Sequence, residues 1–131
     1  MNLPEHPKIL VAEDGHVCMS ALKHYISEAK IESKCAFFRR GDDCLDKVRQ
    51  MKINEVDIEL LILDNLMPGK TGIQIAEEVR KESGYQPKVV LVTAYTNHRM
   101  MRKIAKLDID LIIEKPMLHS DFQKILQLLN N

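Results

Sequence analysis

Three carboxylates, a hydroxyl and an ammonium each stand at the end of a short apolar run. Glu13 and Asp14 follow KILVA (8–12), Asp64 follows ELLIL (59–63), Thr93 closes PKVVLVT (87–93) and Lys115 follows DLIIE (110–114). A carboxylate at the mouth of a hydrophobic strand costs free energy unless something compensates it. Three of them a few ångströms apart repel and raise one another's pKa, so the set calls for a cation. A hard divalent ion such as Mg²⁺ suits a few carboxylates and keeps water or substrate oxygens as its other ligands. With Lys115 adding one more positive charge, such a pocket receives an anion, and a phosphoryl group is the natural candidate. Asp64 is then the nucleophile that carries it as an acyl phosphate.

Taken singly, each residue has an ordinary alternative. Glu13 or Asp14 alone reads as a turn residue or helix cap, and Asp64 alone as an acceptor in a side-chain turn opening the next loop. A lone Thr93 is a structural strand end, and a lone Lys115 an exposed lysine before a proline turn. Their joint occurrence at four strand ends is what favours a shared site.

The elements that must position them alternate along the chain. Strands are predicted over 8–12, 33–38, 59–63, 87–93 and 110–114. Helices are predicted over 16–30, 43–51, 71–82, 98–107 and 120–129, with Ser120 as a cap on the last. The first helix carries Val17, Ala21, Leu22, Tyr25, Ile26 and Ala29 at helical spacing. The third keeps Ile73, Ile75, Ala76 and Val79 on one side. Strands apolar at nearly every position are buried on both faces, so the fold class is α/β with a parallel sheet in a three-layer sandwich. In such sheets function gathers beyond the carboxyl ends of the strands, where these five residues fall.

The chain has 131 residues, about one domain by the usual size prior: a loose lead-in over 1–7, then one domain over 8–131. Nineteen basic residues balance nineteen acidic ones, so net charge favours neither nucleic acid nor a membrane surface. No apolar run approaches the roughly 20 residues of a membrane helix. MNLPEHPK lacks the features of a signal peptide. Cys18, Cys35 and Cys44 show no metal-site spacing and read as free thiols, which points to a reducing, cytoplasmic setting.

The segments KILVAEDG, LLILDNLMPGKTG, VVLVTAY and LIIEKPM resemble the four signature segments of the receiver domain of bacterial-type response regulators. The resemblance runs over about residues 7–130, in the family's order and spacing. It implies a flavodoxin-like fold with strand order 2-1-3-4-5, and a part in two-component signalling. Asp64 then matches the aspartate that accepts a phosphoryl group from a histidine kinase or histidine phosphotransfer protein. Glu13 and Asp14 match the acidic pair that holds Mg²⁺, and the backbone carbonyl of Leu66 falls where a further metal ligand is supplied. Thr93 and Lys115 match the hydroxyl and ammonium that engage the phosphoryl oxygens. Pro116 follows the lysine through a cis peptide in most members, and Gly72 matches the glycine that opens the third helix.

The sequence departs from that pattern at Ile112, where the switch residue is usually Tyr or Phe. A branched aliphatic cannot swing a hydroxyl-tipped ring, so an output change takes another route, by repacking or through the loop into the fourth helix. Asp108 stands where a glycine commonly ends the fourth helix. Leu66 and Tyr95 flank the route of water to the phosphoryl group, and their bulk is expected to slow its loss.

The fourth helix carries His98, Arg99, Arg102, Lys103 and Lys106, with Met100 and Met101 between them. It is either a solvated basic face or, with the fifth strand and fifth helix, a surface for an acidic output partner. Two other functions stay open. A pseudo-receiver would keep the fold and act without phosphorylation. An aspartyl-phosphate phosphatase would need a second Asp two residues after Asp64, where Leu66 stands. A free-standing regulator and a receiver from a longer protein fit the sequence equally.

Overall fold

The computed structural model describes residues 6–81, 86–94 and 96–130, so the expectation at Tyr95 and most of the lead-in expected over 1–7 lie outside the described residues. The five strands are β1 (Ile9–Ala12), β2 (Cys35–Phe38), β3 (Leu60–Asp64), β4 (Lys88–Thr93) and β5 (Leu111–Glu114). The five α-helices are α1 (His16–Glu28), α2 (Gly41–Ile53), α3 (Gly72–Arg80), α4 (His98–Ala105) and α5 (His119–Leu129). The strands form one parallel sheet in the order β2-β1-β3-β4-β5, as the alternation and the resemblance predict. No described helix is long and apolar enough to cross a membrane.

Alternate residues of each strand point to opposite faces, and here the two faces feed separate cores. Leu10, Ala12, Leu61, Leu63 and Leu91 pack with α2, α3 and Ile104 of α4. Ile9, Val11, Ile62, Val90 and Val92 pack with α1 and α5, around Leu22, Ile26 and Phe122. Burial on both faces explains why these strands read as unbroken apolar runs. The expected inner face of α3 is realised in full, with Ile73, Ile75, Ala76 and Val79 all buried. By contrast α4 buries only Ile104.

Several expectations are corrected. Val17 fits the apolar spacing of α1 but is 84% exposed. It lies in the first turn, lining a groove with Lys115 and Met117 above the sheet edge, out of reach of the strands. Residues Glu32–Lys34 form a 3₁₀ turn, so β2 begins only at Cys35. The second helix, expected over 43–51, starts earlier: α2 begins at Gly41 with Asp42 and Asp43 in its first turn, where negative charge suits the helix dipole. Ser120 does not cap α5. Leu118 holds the cap position, and the Asp121 carboxylate accepts its N–H at 2.9 Å.

Asp108 adopts the left-handed conformation (φ 50°) that the commoner glycine would supply, which Asp tolerates better than most residues. Its carbonyl accepts a hydrogen bond from Arg80. The same guanidinium donates to the carbonyls of Leu107 and Pro87, joining α3 to the start of β4 and the end of α4.

Candidate functional site

The sheet brings its carboxyl edge together as the sequence predicts. Glu13 follows β1, its N–H donating to the Phe38 carbonyl at 2.9 Å. Asp64 is the last residue of β3, and β1 and β3 are neighbours, so both acids emerge side by side. Carboxylate oxygens of Glu13, Asp14 and Asp64 lie within 4.8 Å of one another. Glu13 and Asp64 are buried and Asp14 is exposed. From β5, Lys115 places its Nζ 3.0 Å from Glu13 Oε2 and 3.1 Å from Asp64 Oδ2. The Lys115–Pro116 peptide is cis.

The ordinary roles weighed for the acids are present as well. Asp64 Oδ1 accepts from the Leu66 N–H at 3.2 Å, and Glu13 Oε2 accepts from the Gly15 N–H at 3.0 Å. Each carboxylate therefore ties its own turn with one oxygen while facing the cluster. The side-chain turn at Asp64 and the shared site are not rivals.

The electrostatics differ from simple mutual repulsion. Burial, reinforced by the neighbouring Glu13 carboxylate, pushes Asp64 up to about 6 against the pull of Lys115. Burial also pushes Glu13 upward, but hydrogen bonding with Asp64, Cys18, Gly15 and Lys115 outweighs it and holds Glu13 below its ordinary value. The expectation that the carboxylates all raise one another thus fails at Glu13, because it collects the donors. Burial works against the Lys115 ammonium, yet its hydrogen bonds to the two acids keep it above the ordinary lysine value.

The donor set fits a hard divalent cation. Three carboxylates face one point, and Glu13 Oε1 is buried with no hydrogen-bond partner among the described residues. A buried acceptor in that state costs about 1–3 kcal/mol, which a cation would recover.

Thr93 ends β4 with its side chain buried, and its carbonyl accepts from the Lys115 N–H at 2.9 Å. Gly72 is the first residue of α3, behind the Thr71 cap. A Cβ there would lie 2.7 Å from the Asp64 carbonyl oxygen and 2.8 Å from Leu91 Cδ1, so the close approach of helix to strand requires glycine. Leu66 contributes its N–H to Asp64, while its side chain is 62% exposed. Ile112 is not drawn to the acidic cluster. It pairs with Leu91 in the sheet and packs, half-buried, against the core beneath α2–α4.

Two neighbours of the site were not anticipated. The Cys18 thiol interacts with Glu13 from the first turn of α1. Asn65 is buried, accepts from the Ile73 N–H through Oδ1 at 3.2 Å and donates through Nδ2 to Met100 Sδ at 3.2 Å. The only signal for Asn65 was a polar residue continuing an apolar strand past Asp64.

Residues 9–128 match the family model of the response regulator receiver domain. A segment of the osmosensing histidine protein kinase SLN1 of Saccharomyces cerevisiae is 24% identical over 119 residues, 91% of this chain and 10% of that protein. The chain spans between 10% and 36% of the length of the curated relatives it matches here. Among solved structures, a two-component response regulator from Legionella pneumophila aligns with a TM-score of 0.78 at 22% identity, covering 95% of this chain and 98% of that one. The receiver domain of sensor histidine kinase PA1611 from Pseudomonas aeruginosa PAO1, with a magnesium ion coordinated in its active-site cleft, aligns with a TM-score of 0.76 at 16% identity. That alignment covers 94% of this chain and 97% of that one.

Proposed function

The chain belongs to the response regulator receiver domain family, and from that premise we propose that Asp64 accepts a phosphoryl group from a phosphohistidine donor. The observation that carries this reading is the Glu13–Asp14–Asp64 cluster with Lys115 bonded into it. Receiver domains are signalling modules of two-component systems, and this one is proposed to act without a turnover substrate beyond its phosphodonor.

Glu13, Asp14 and Asp64 would hold Mg²⁺, with the Leu66 carbonyl as a further ligand. When bound, the ion would neutralise phosphoryl oxygens and the charge of the acid cluster. A carboxylate oxygen of Asp64 attacks phosphorus in line, the P–N bond breaks, and the imidazole nitrogen leaves with the electron pair. Lys115 then moves its hydrogen bond from the Asp64 carboxylate to a phosphoryl oxygen, and the Thr93 hydroxyl donates to another. Hydrolysis of the acyl phosphate returns Asp64 to its carboxylate.

Val17, Leu66 and Leu118 are exposed apolar side chains on elements flanking this pocket, which suits docking of a histidine kinase or histidine phosphotransfer protein. The output side is assigned to the face of α4, β5 and α5. His98, Arg99, Arg102 and Lys103 are exposed on α4 with Met101 beside them, and an acidic protein surface would complement them.

Incubation with Mg²⁺ and acetyl phosphate, read by intact mass, tests the chemistry. Wild type is expected to gain one phosphoryl group and Asp64→Ala none. No gain in wild type would leave a pseudo-receiver.

A further inference from the structure

We propose that Asn65 couples the state of Asp64 to the position of helix α4, with Met100 as its contact on that helix. The inference rests on the phosphoacceptor reading above and extends it to how the signal leaves the site.

Asn65 is the only buried side-chain amide among the described residues. It sits between Asp64 and Leu66, whose N–H is held by Asp64 Oδ1 at 3.2 Å. The carboxylate that would take the phosphoryl group therefore clamps the backbone on both sides of Asn65. Any reaction or metal contact at that carboxylate changes its acceptor capacity and so changes the tension on this turn. The Asn65 N–H continues the sheet ladder to the Val92 carbonyl at 3.3 Å, which keeps the residue registered to β4 while the turn adjusts.

The two ends of the Asn65 amide are unequal. Oδ1 accepts a backbone N–H, that of Ile73 in the first turn of α3, at 3.2 Å. Nδ2 donates to the Met100 thioether, also at 3.2 Å, and sulfur is a weak acceptor. When the turn moves, the α3 bond is the one to keep and the Met100 contact the one to give.

The helices at the two ends are unequal too. α3 is held by four buried apolar side chains besides Gly72, whereas α4 buries Ile104 alone. Weakly anchored elements open and shift at lower cost than packed ones. A cleft lined by Asn65, Thr71, Gln74, Asn97 and Met100 separates the first turns of α3 and α4, so α4 has room to move there. The amide thus joins a firm helix to a loose one directly behind the phosphoacceptor. A change at Asp64 is read out as displacement of α4, and with it the basic side chains proposed to meet the output partner.

Hydrogen exchange of the α4 amides, with and without Mg²⁺ plus beryllofluoride as a phosphoryl mimic, tests the coupling in three proteins. Wild type is expected to change its α4 exchange by at least about fivefold, the lower end of ordinary coupling between sites. Met100→Leu keeps volume and burial but removes the acceptor, and is expected to lose that change. Met100→Gln offers a stronger acceptor and is expected to restore it. Equal melting temperatures and equal beryllofluoride affinity in all three separate coupling from folding and from binding. A Met100→Leu response equal to wild type overturns the coupling, as does an unresponsive α4 in wild type that takes up phosphoryl. Failure of wild type to gain a phosphoryl group by mass instead overturns the phosphoacceptor reading.

Discussion

Lys115 Nζ stands 3.1 Å from Asp64 Oδ2 although the two are 51 positions apart in the chain, and it bonds Glu13 at the same time. One ammonium thus bonds two buried acids at once and offsets part of their charge. Lys115→Ala is expected to slow phosphoryl uptake from acetyl phosphate by about 10- to 100-fold, the worth of a charged hydrogen bond of about 1.5–3 kcal/mol. Time-resolved intact mass measures it, and an unchanged rate would remove Lys115 from the mechanism.

Magnesium should stabilise the fold through the same cluster. At about 100 times its dissociation constant a ligand adds about 2.7 kcal/mol. Wild type is expected to melt higher with Mg²⁺ than with EDTA, and Asp14→Ala to show little difference. Since Asp14 is exposed, that variant tests ligation with little disturbance of the core. Calorimetry showing the same Mg²⁺ gain in both proteins would exclude Asp14 as a ligand.

Leu66 sets an apolar side chain at the rim beside Asp64, 62% exposed. Replacing it with Asn is expected to shorten the acyl phosphate half-life by about three- to tenfold, a barrier change of about 1 kcal/mol. Decay of the phosphorylated mass after removal of the donor gives the value. A half-life at or above that of wild type would contradict the shielding role.

Gly72→Ala forces a methyl group against the Asp64 carbonyl and Leu91. Overpacking of this kind costs about 1–3 kcal/mol. Denaturant melts should show that loss together with slower phosphoryl uptake, because the displaced backbone carries Asp64 itself. A fully stable Gly72→Ala would mean that α3 can back away from β3 at no cost.

The thiols should be inert in the native state. Burial pushes Cys35 and Cys44 from 9.0 to about 12, and burial with the Glu13 carboxylate does the same to Cys18. Unfolded thiols release protons near pH 9 while folded ones keep them, so stability falls as pH rises from 9 towards 12. At pH 8.5 iodoacetamide is expected to label all three cysteines after denaturation and none rapidly before; rapid native labelling of Cys44 would contradict its burial.

What could be read from the sequence follows how local its cause is. Asp64, Glu13 and Lys115 were legible because each interrupts an apolar run at a strand end, and a parallel sheet brings those ends together. Val17 was misplaced because helical spacing records direction around the axis and not whether a strand lies opposite. Ser120 falls inside the first turn of α5 because the helix starts behind Leu118, whose N–H the Asp121 carboxylate holds. Asn65 and Arg80 could not be read, since their meaning lies in Met100 and in the carbonyls of Pro87, Leu107 and Asp108, which are brought near only by folding. Asp108 shows the opposite case: the residue differs from the common glycine, yet the left-handed turn is kept.

The two cores on either side of the sheet use different branching. Towards α1 and α5 the strands present mainly β-branched Ile9, Val11, Ile62, Val90 and Val92, and towards α2–α4 mainly Leu10, Leu61, Leu63 and Leu91. A one-residue slip of any central strand would swap the sets, keeping hydrophobicity while exchanging stiff side chains for longer flexible ones. Shape, and not polarity, is then the proofreading signal for register. That register aligns Ala12 with Leu63, and so sets Glu13 beside Asp64.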